Sequence, residues 1–170
     1  MFVNIGVGQS KKKENKIEQN NNTEIVNREN YSLEPQEFHL NETSFNINGI
    51  SLIYRFNLEA YIEKIGKPDK IERGGQKIID EFGYDDYSLF YSKNNLVAGH
   101  GQLLSAYIFE PGISFNGIEI GNDRDKVEKT FNINTMNENS IKIVSRNDHV
   151  LSVEFDENGK IFEMSFYSPI

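Results

Sequence analysis

Apolar and polar residues alternate through several short stretches of this chain, and the stretches come in two matching sets. Asn48-Gly49-Ile50-Ser51-Leu52 recurs as Asn116-Gly117-Ile118-Glu119-Ile120. In each copy an Asn-Gly pair interrupts an alternating apolar run, and Asn-Gly supplies the positive φ values of a tight hairpin turn. Phe45 and Ile47 precede the first turn as Ile113 and Phe115 precede the second. A helical period follows each. Leu58, Tyr61, Ile62 and Ile65 fall on one helical face behind Asn57, a capping residue type, and Gly66 and Pro68 stop the run. In the second copy Asn122 or Asp123 is placed to cap. Val127 and Phe131 lie one turn apart, and Asp123, Asp125 and Glu128 sit toward the positive end of the helix.

Three strands are predicted after each helix. Residues 87–95 align without gaps on 151–159, and residues 103–109 on 161–167. Residues 77–82 and 141–146 supply the remaining strand of each copy, and residues 37–40 add an edge strand ahead of both. A strand or hairpin, one helix and three antiparallel strands, twice over, predicts an α+β fold. Its two tandem units, residues 32–110 and 111–170, form an antiparallel sheet with the helices on one face. Period-two alternation places Tyr87, Leu89, Tyr91, Leu104, Ala106 and Ile108 beneath the helices, with Leu151, Val153, Phe155, Phe162, Met164 and Phe166 as their counterparts. The other face then differs between the copies. It shows Phe90, Leu103, Tyr107 and Phe109 in the first and Glu154, Glu163, Ser165 and Tyr167 in the second.

The Asn48–Gly49 and Asn116–Gly117 starts, the helix ending in Ile65-Gly66-Lys67-Pro68-Asp69 and the Asp86-Tyr87 strand together resemble β-lactamase-inhibitor-like tandem repeats. They are also similar to immunity-type bacterial proteins built the same way. The resemblance covers residues 45–167. It implies a protein that works by binding another protein across an open sheet. Such inhibitors carry disulfides and have a concave face rich in aromatics including Trp, whereas this chain has no Cys and no Trp.

Composition narrows the classes of function. The chain has 170 residues and a net charge of −8. Residues 1–31 are rich in Asn, Lys, Glu and Gln, with too few large apolar side chains to offset the entropy of ordering, and are expected to form a disordered arm or linker. That leaves 13 basic against 22 acidic side chains in residues 32–170. Phosphate backbones repel such a surface, so nucleic acid is not an expected partner; a basic protein is electrostatically compatible, while net acidity also simply serves solubility. Without cysteine there is no thiolate nucleophile and no Cys-type zinc site. No apolar run approaches the ~18 residues of a membrane-spanning helix. The short apolar residues 2–8 followed by Lys11-Lys12-Lys13 and a polar tether resemble the end of a lipoprotein signal with its spacer, though without the lipidated Cys. This layout leans toward a periplasmic or envelope location.

Candidate chemistry is sparse. His39, His100 and His149 lie in separate segments without metal-ligand spacing, and no cofactor or metal is expected. Asp148-His149 is an orientable base without a recognisable nucleophile. Asp85-Asp86 sit on adjacent strand positions and so point to opposite faces. Asp156-Glu157-Asn158-Gly159 has Ca²⁺-loop residue types but lacks the ligand series of such a loop, and reads as a hairpin turn. Gly74-Gly75 lacks the strand–loop–helix setting of a phosphate site. The feature with functional content is the aromatic face. Phe90, Leu103, Tyr107 and Phe109 would form a partner-binding patch rimmed by Glu110 and Glu154 if the outer face is open; the alternative is that the other unit or an N-terminal segment covers it. The leading expectation is a non-catalytic protein-binding module of inhibitor or immunity type. The alternatives are an exported, lipoprotein-like envelope protein with a scaffold role, and an enzyme using Asp148 and His149.

Overall fold

A computed structural model of the chain describes residues 34–41, 44–74 and 86–169. The arm at 1–31, the strand expected at 77–82, Gly75 and Asp85 lie outside them. Ser32–Ile170 forms one compact unit. Its strands are β1 (Gln36–His39), β2 (Asn46–Ile47), β3 (Ile50–Ser51), β4 (Lys70–Arg73), β5 (Tyr87–Tyr91), β6 (Asn94–Gly99), β7 (Gln102–Ile108), β8 (Ser140–Val144), β9 (Val150–Phe155) and β10 (Ile161–Tyr167). Helix α1 (Leu58–Ile65) follows β3, and α2 (Arg124–Phe131) follows β7. Eight strands make one sheet in the order β1-β8-β9-β10-β7-β6-β5-β4, and β2 and β3 form a separate hairpin. The fold is mixed α and β with a sheet dominated by antiparallel pairs. The exception is β1, which runs parallel to β8 at one edge.

The register explains where the core sits. Reading across the sheet, Ile71, Leu89, Leu96, Ala106, Phe166, Leu151, Ile143 and Phe38 stand opposite one another in turn. Because successive side chains alternate faces, one such row fixes the apolar face of every strand. Tyr61 of α1 and Val127 and Phe131 of α2 are buried in the same cluster. Phe45 meets the rings of Phe131 and Phe166 edge-on, and Phe115 stacks on Phe166 at 5.4 Å between centroids. Edge-on and offset-stacked rings are the favoured aromatic geometries.

The two Asn-Gly turns interlock. Asn48 and Asn116 hold φ of 46° and 51°, and a bridge joins Ile47 to Phe115. Asn48 Oδ1 accepts from Ser114 N at 2.7 Å while its Nδ2 donates to the Gly112 carbonyl at 3.0 Å. Reciprocally, Asn116 Oδ1 accepts from Asn46 N at 2.8 Å and its Nδ2 donates to the Ser44 carbonyl. Backbone bonds from Asn48 N to the Ser114 carbonyl and from Asn116 N to the Asn46 carbonyl, each 3.0 Å, close the junction. The polar atoms of the turns, which face no strand partner, are satisfied by the opposite turn.

The helix ends follow the sequence reading in α1 and depart from it in α2. Asn57 Oδ1 accepts from Ala60 N at 3.0 Å, and Gly66 ends α1 at φ 106°. Asp123 occupies the N-cap position of α2 but makes no capping hydrogen bond. Its Oδ1 instead takes the Lys160 ammonium at 2.8 Å. The Asn122 side chain accepts from Glu119 N, within the turn before the helix.

The tandem alignment needs two corrections. In the sheet β9 lies next to the central β10, and its counterpart beside the central β7 is β6, not β5. Residues 87–95 are therefore displaced by one strand from residues 151–159. Two bulges also break the expected alternation. Between β6 and β7 the register slips after the Val97–Ser105 pair, so that Ala98 faces Leu103 and Leu104 is the extra residue. Between β9 and β10 it slips between Ile161 and Glu163, leaving Phe162 extra. An extra residue moves everything beyond it to the other face. Leu103, expected outside, is 4% exposed in the core, and Leu104 is only partly covered. Ile161 takes the buried place expected for Phe162, which is 49% exposed.

Candidate protein-binding face

The face of the sheet away from the core row carries Phe90, Tyr107 and Glu154 of the expected patch. One row across it reads Lys70, Phe90, Asn95, Tyr107, Ser165, Ser152, Lys142 and Glu37. The next reads Glu72, Ser88, Val97, Ser105, Tyr167, Val150, Val144 and His39. Tyr107 and Tyr167 therefore sit diagonally across the central β7–β10 pair, within reach of each other's rings. Phe109, two residues along from Tyr107, extends the stripe. Tyr107, Phe109 and Tyr167 are 47%, 42% and 57% exposed. Three partly bare aromatic rings thus stand together at the middle of the sheet.

The expected patch is redrawn by this geometry. Leu103 leaves it through the β7 bulge. Phe90 lies on the same face but two strands from Tyr107, with Asn95 between, a separation of about 10 Å. Its ring is half-buried beneath the Lys70 ammonium, 5.5 Å from the ring centroid, and Lys70 also pairs with Glu72. Tyr167 joins the patch although its own alternation set it in the polar half.

The rim acids behave differently from one another. Glu110 is paired with Lys93 at 3.0 Å. Hydrogen bonds from the side chains of Lys93 and Ser92 hold its carboxyl below the usual carboxylate range. Asn94 locks this corner, its buried side chain accepting from Phe109 N and Glu110 N and donating to the Glu110 carbonyl. Glu154 stands directly opposite Glu163 across β9–β10. Its Oε1 accepts from Ser140 Oγ at 2.6 Å. Among the described residues neither Glu154 nor Glu163 forms an ion pair. Glu163 and Phe109 each adjoin a member of the Met164–Ile108 pair that ends the β7–β10 ladder.

Several other polar features have local partners. His149 lies edge-on to Phe166 at 5.6 Å, and burial lowers its pKa from the ordinary value, partly offset by the Asp148 carboxylate. Asp148 is held at φ 60° in the turn before it. Burial raises the pKa of the Tyr61 phenol, reinforced by Tyr91. An open cleft of about 470 Å³ runs between the start of α2 and the 156–159 turn. Within it Asp156 Oδ1 accepts from Asn158 N and Lys160 N, confirming a hairpin turn. The Arg124 guanidinium lies 4.1 Å from the Phe155 ring centroid and donates to Thr135 Oγ1 and the Glu138 carbonyl. No group of three or more His, Asp or Glu among the described residues is placed to hold a metal ion. No described helix is long and apolar enough to cross a membrane.

No protein-family model matches the sequence, and no curated protein matches it. Among solved structures, a cysteine-rich secretory protein from Staphylococcus aureus subsp. aureus Mu50 is similar at 13% identity over 68% of this chain, with a TM-score of 0.41. An extracellular protein containing an SCP domain from Bacillus anthracis str. Ames is similar at 12% identity over 68% of the chain, with a TM-score of 0.34. The chain spans 43% and 44% of the length of these two proteins. The resemblance to β-lactamase-inhibitor-like repeats is corrected by these comparisons: the neighbours found are described as secretory and SCP-containing proteins, and neither is described as an inhibitor of that kind.

Proposed function

We propose that the chain is a non-catalytic protein-binding module that engages its partner through the open face of the eight-stranded sheet. One observation carries this reading. Tyr107, Phe109 and Tyr167 are gathered, partly bare, on the central strands of a face that no helix of the described residues covers, while both helices bury their apolar sides on the other. Folding alone gives aromatic rings no reason to collect in water, and contiguous exposed aromatics are the usual anchors of protein interfaces. Local engagement of three of the candidate chemical groups supports the same reading. His149 packs against Phe166, and Asp156 and Asp123 are engaged by the 156–160 turn and Lys160.

The test is co-purification from the native host with the full chain, comparing the wild type with the Tyr107→Ala/Phe109→Ala double variant. Both side chains are exposed, so the variant should keep its fold, checked by circular dichroism. Loss of a stoichiometric partner in the variant supports the face. A partner retained at wild-type yield removes it.

A further inference from the structure

We infer that the partner presents a basic, arginine- or lysine-bearing segment to this face, with Glu154 and Glu163 as its charge acceptors and the Phe109–Tyr107–Tyr167 stripe as its apolar bed. This deepens the binding reading above and rests on it.

The argument starts from a charge pattern that folding does not explain. Glu154 and Glu163 face each other directly across β9–β10, and like charges so placed destabilise a sheet. The intramolecular remedy would be a cation on a neighbouring strand. Lys142 lies on the diagonal from Glu154, since Ser152 is its direct partner, but it forms no ion pair there. Glu110, by contrast, is matched by Lys93. On this face Glu154 and Glu163 are thus left without a cation among the described residues, near the end of the aromatic stripe.

The same face already shows how it accommodates a cation. At its far side Lys70 lays its ammonium over the Phe90 ring while pairing with the Glu72 carboxylate. A ring face and a carboxylate together hold one basic side chain. Phe109 and Tyr107 beside Glu163 and Glu154 repeat those ingredients without a cation of their own among the described residues. A basic residue supplied by a partner would complete the arrangement. Its aliphatic stem would cover ring surface while its charge relieves the carboxylate repulsion. The chain's net charge of −8 would speed the approach of such a partner. A second copy of this chain would bring more negative charge to the same place and is disfavoured.

The experiment uses a phage-displayed library of random linear peptides, selected at low salt on the immobilised full chain. The best peptide is then synthesised with a fluorophore and titrated against the wild type, Glu154→Gln/Glu163→Gln and Tyr107→Ala/Phe109→Ala. The expected result is enrichment of arginine and lysine, binding that weakens as salt rises, and about five- to tenfold weaker binding to the double glutamine variant. Its melting temperature should meanwhile rise by about 1–3 °C, because the like-charge pair is gone. Selection of neutral or acidic peptides, failure to enrich any peptide, or full affinity in the glutamine variant overturns the inference. If the alanine variant alone loses binding, the open face remains the binding surface and only the basic partner is rejected. If neither variant loses binding, both readings fall.

Discussion

Replacing Asn48 tests whether the two Asn-Gly turns hold the halves of the fold together. Asn48 performs two separable tasks. Its backbone occupies the left-handed region at φ 46°, and its amide both accepts from Ser114 N and donates to the Gly112 carbonyl. Asn48→Gly keeps the first and removes the second. Loss of the partner for the partly buried Ser114 N–H is expected to cost about 1–3 kcal/mol. Asn48→Ala removes the same bonds and, unlike the glycine variant, keeps a Cβ in the left-handed region without the polar side chain that eases asparagine there, which costs about 1 kcal/mol relative to glycine. The alanine variant should therefore be the less stable by about 1 kcal/mol, and both should fall clearly below wild type. At roughly 3 °C per kcal/mol for a chain of this size, the two variants separate in a thermal melt. Urea titration of the full chain followed by far-UV circular dichroism gives the free energies, provided the slope m is unchanged. Equal losses in the two variants would refute the backbone part of the reasoning. A loss below about 0.5 kcal/mol in Asn48→Gly would refute the interlock.

The bulge assignments and His149 give two further tests. Phe162→Ser should cost less than about 1 kcal/mol because the ring is half exposed, whereas Ile161→Ala should cost about 2–4 kcal/mol as a buried cavity; urea midpoints that reverse this order would return Phe162 to the core. Burial depresses the His149 pKa, so the unfolded chain binds its proton first as pH falls. The stabilisation this confers is complete above the ordinary histidine pKa of 6.5 and is lost as pH drops through the lowered folded value. Wild type should thus lose stability between pH 7.5 and 5.5 more steeply than His149→Phe, which keeps a ring against Phe166; parallel pH profiles would contradict it.

Much of the fold was legible because it depends on local chemistry. The Asn-Gly turns, the Asn57 cap, the Gly66 stop and the apolar periods of α1 and α2 all act within a few residues. Strands β4 and β6 were not legible. Lys70-Ile71-Glu72-Arg73 is a charged, exposed edge strand, a form that guards a sheet edge and carries little apolar signal. Asn94–Gly99 ends in Ala98 and Gly99, small residues with weak strand preference, and it is buried only because β5 and β7 flank it. The aromatic face was half legible. Tyr107 and Phe109 stand where alternation set them, Leu103 does not, and Tyr167 belongs with them only because β10 lies beside β7.

By itself the sequence determined the α+β character, the two turn–helix starts, the identity of the apolar face in most strands and the lack of thiol chemistry. Each follows from residue type and from spacings of two to four, which a chain carries wherever it folds. The tertiary structure alone decided the order of strands, the parallel β1 edge, the two bulges and the meeting of Glu154 with Glu163 beside the aromatic stripe. Those depend on which distant strands pair and in what register. A shift of a single residue in that pairing turns a core leucine outward or an outer phenylalanine inward.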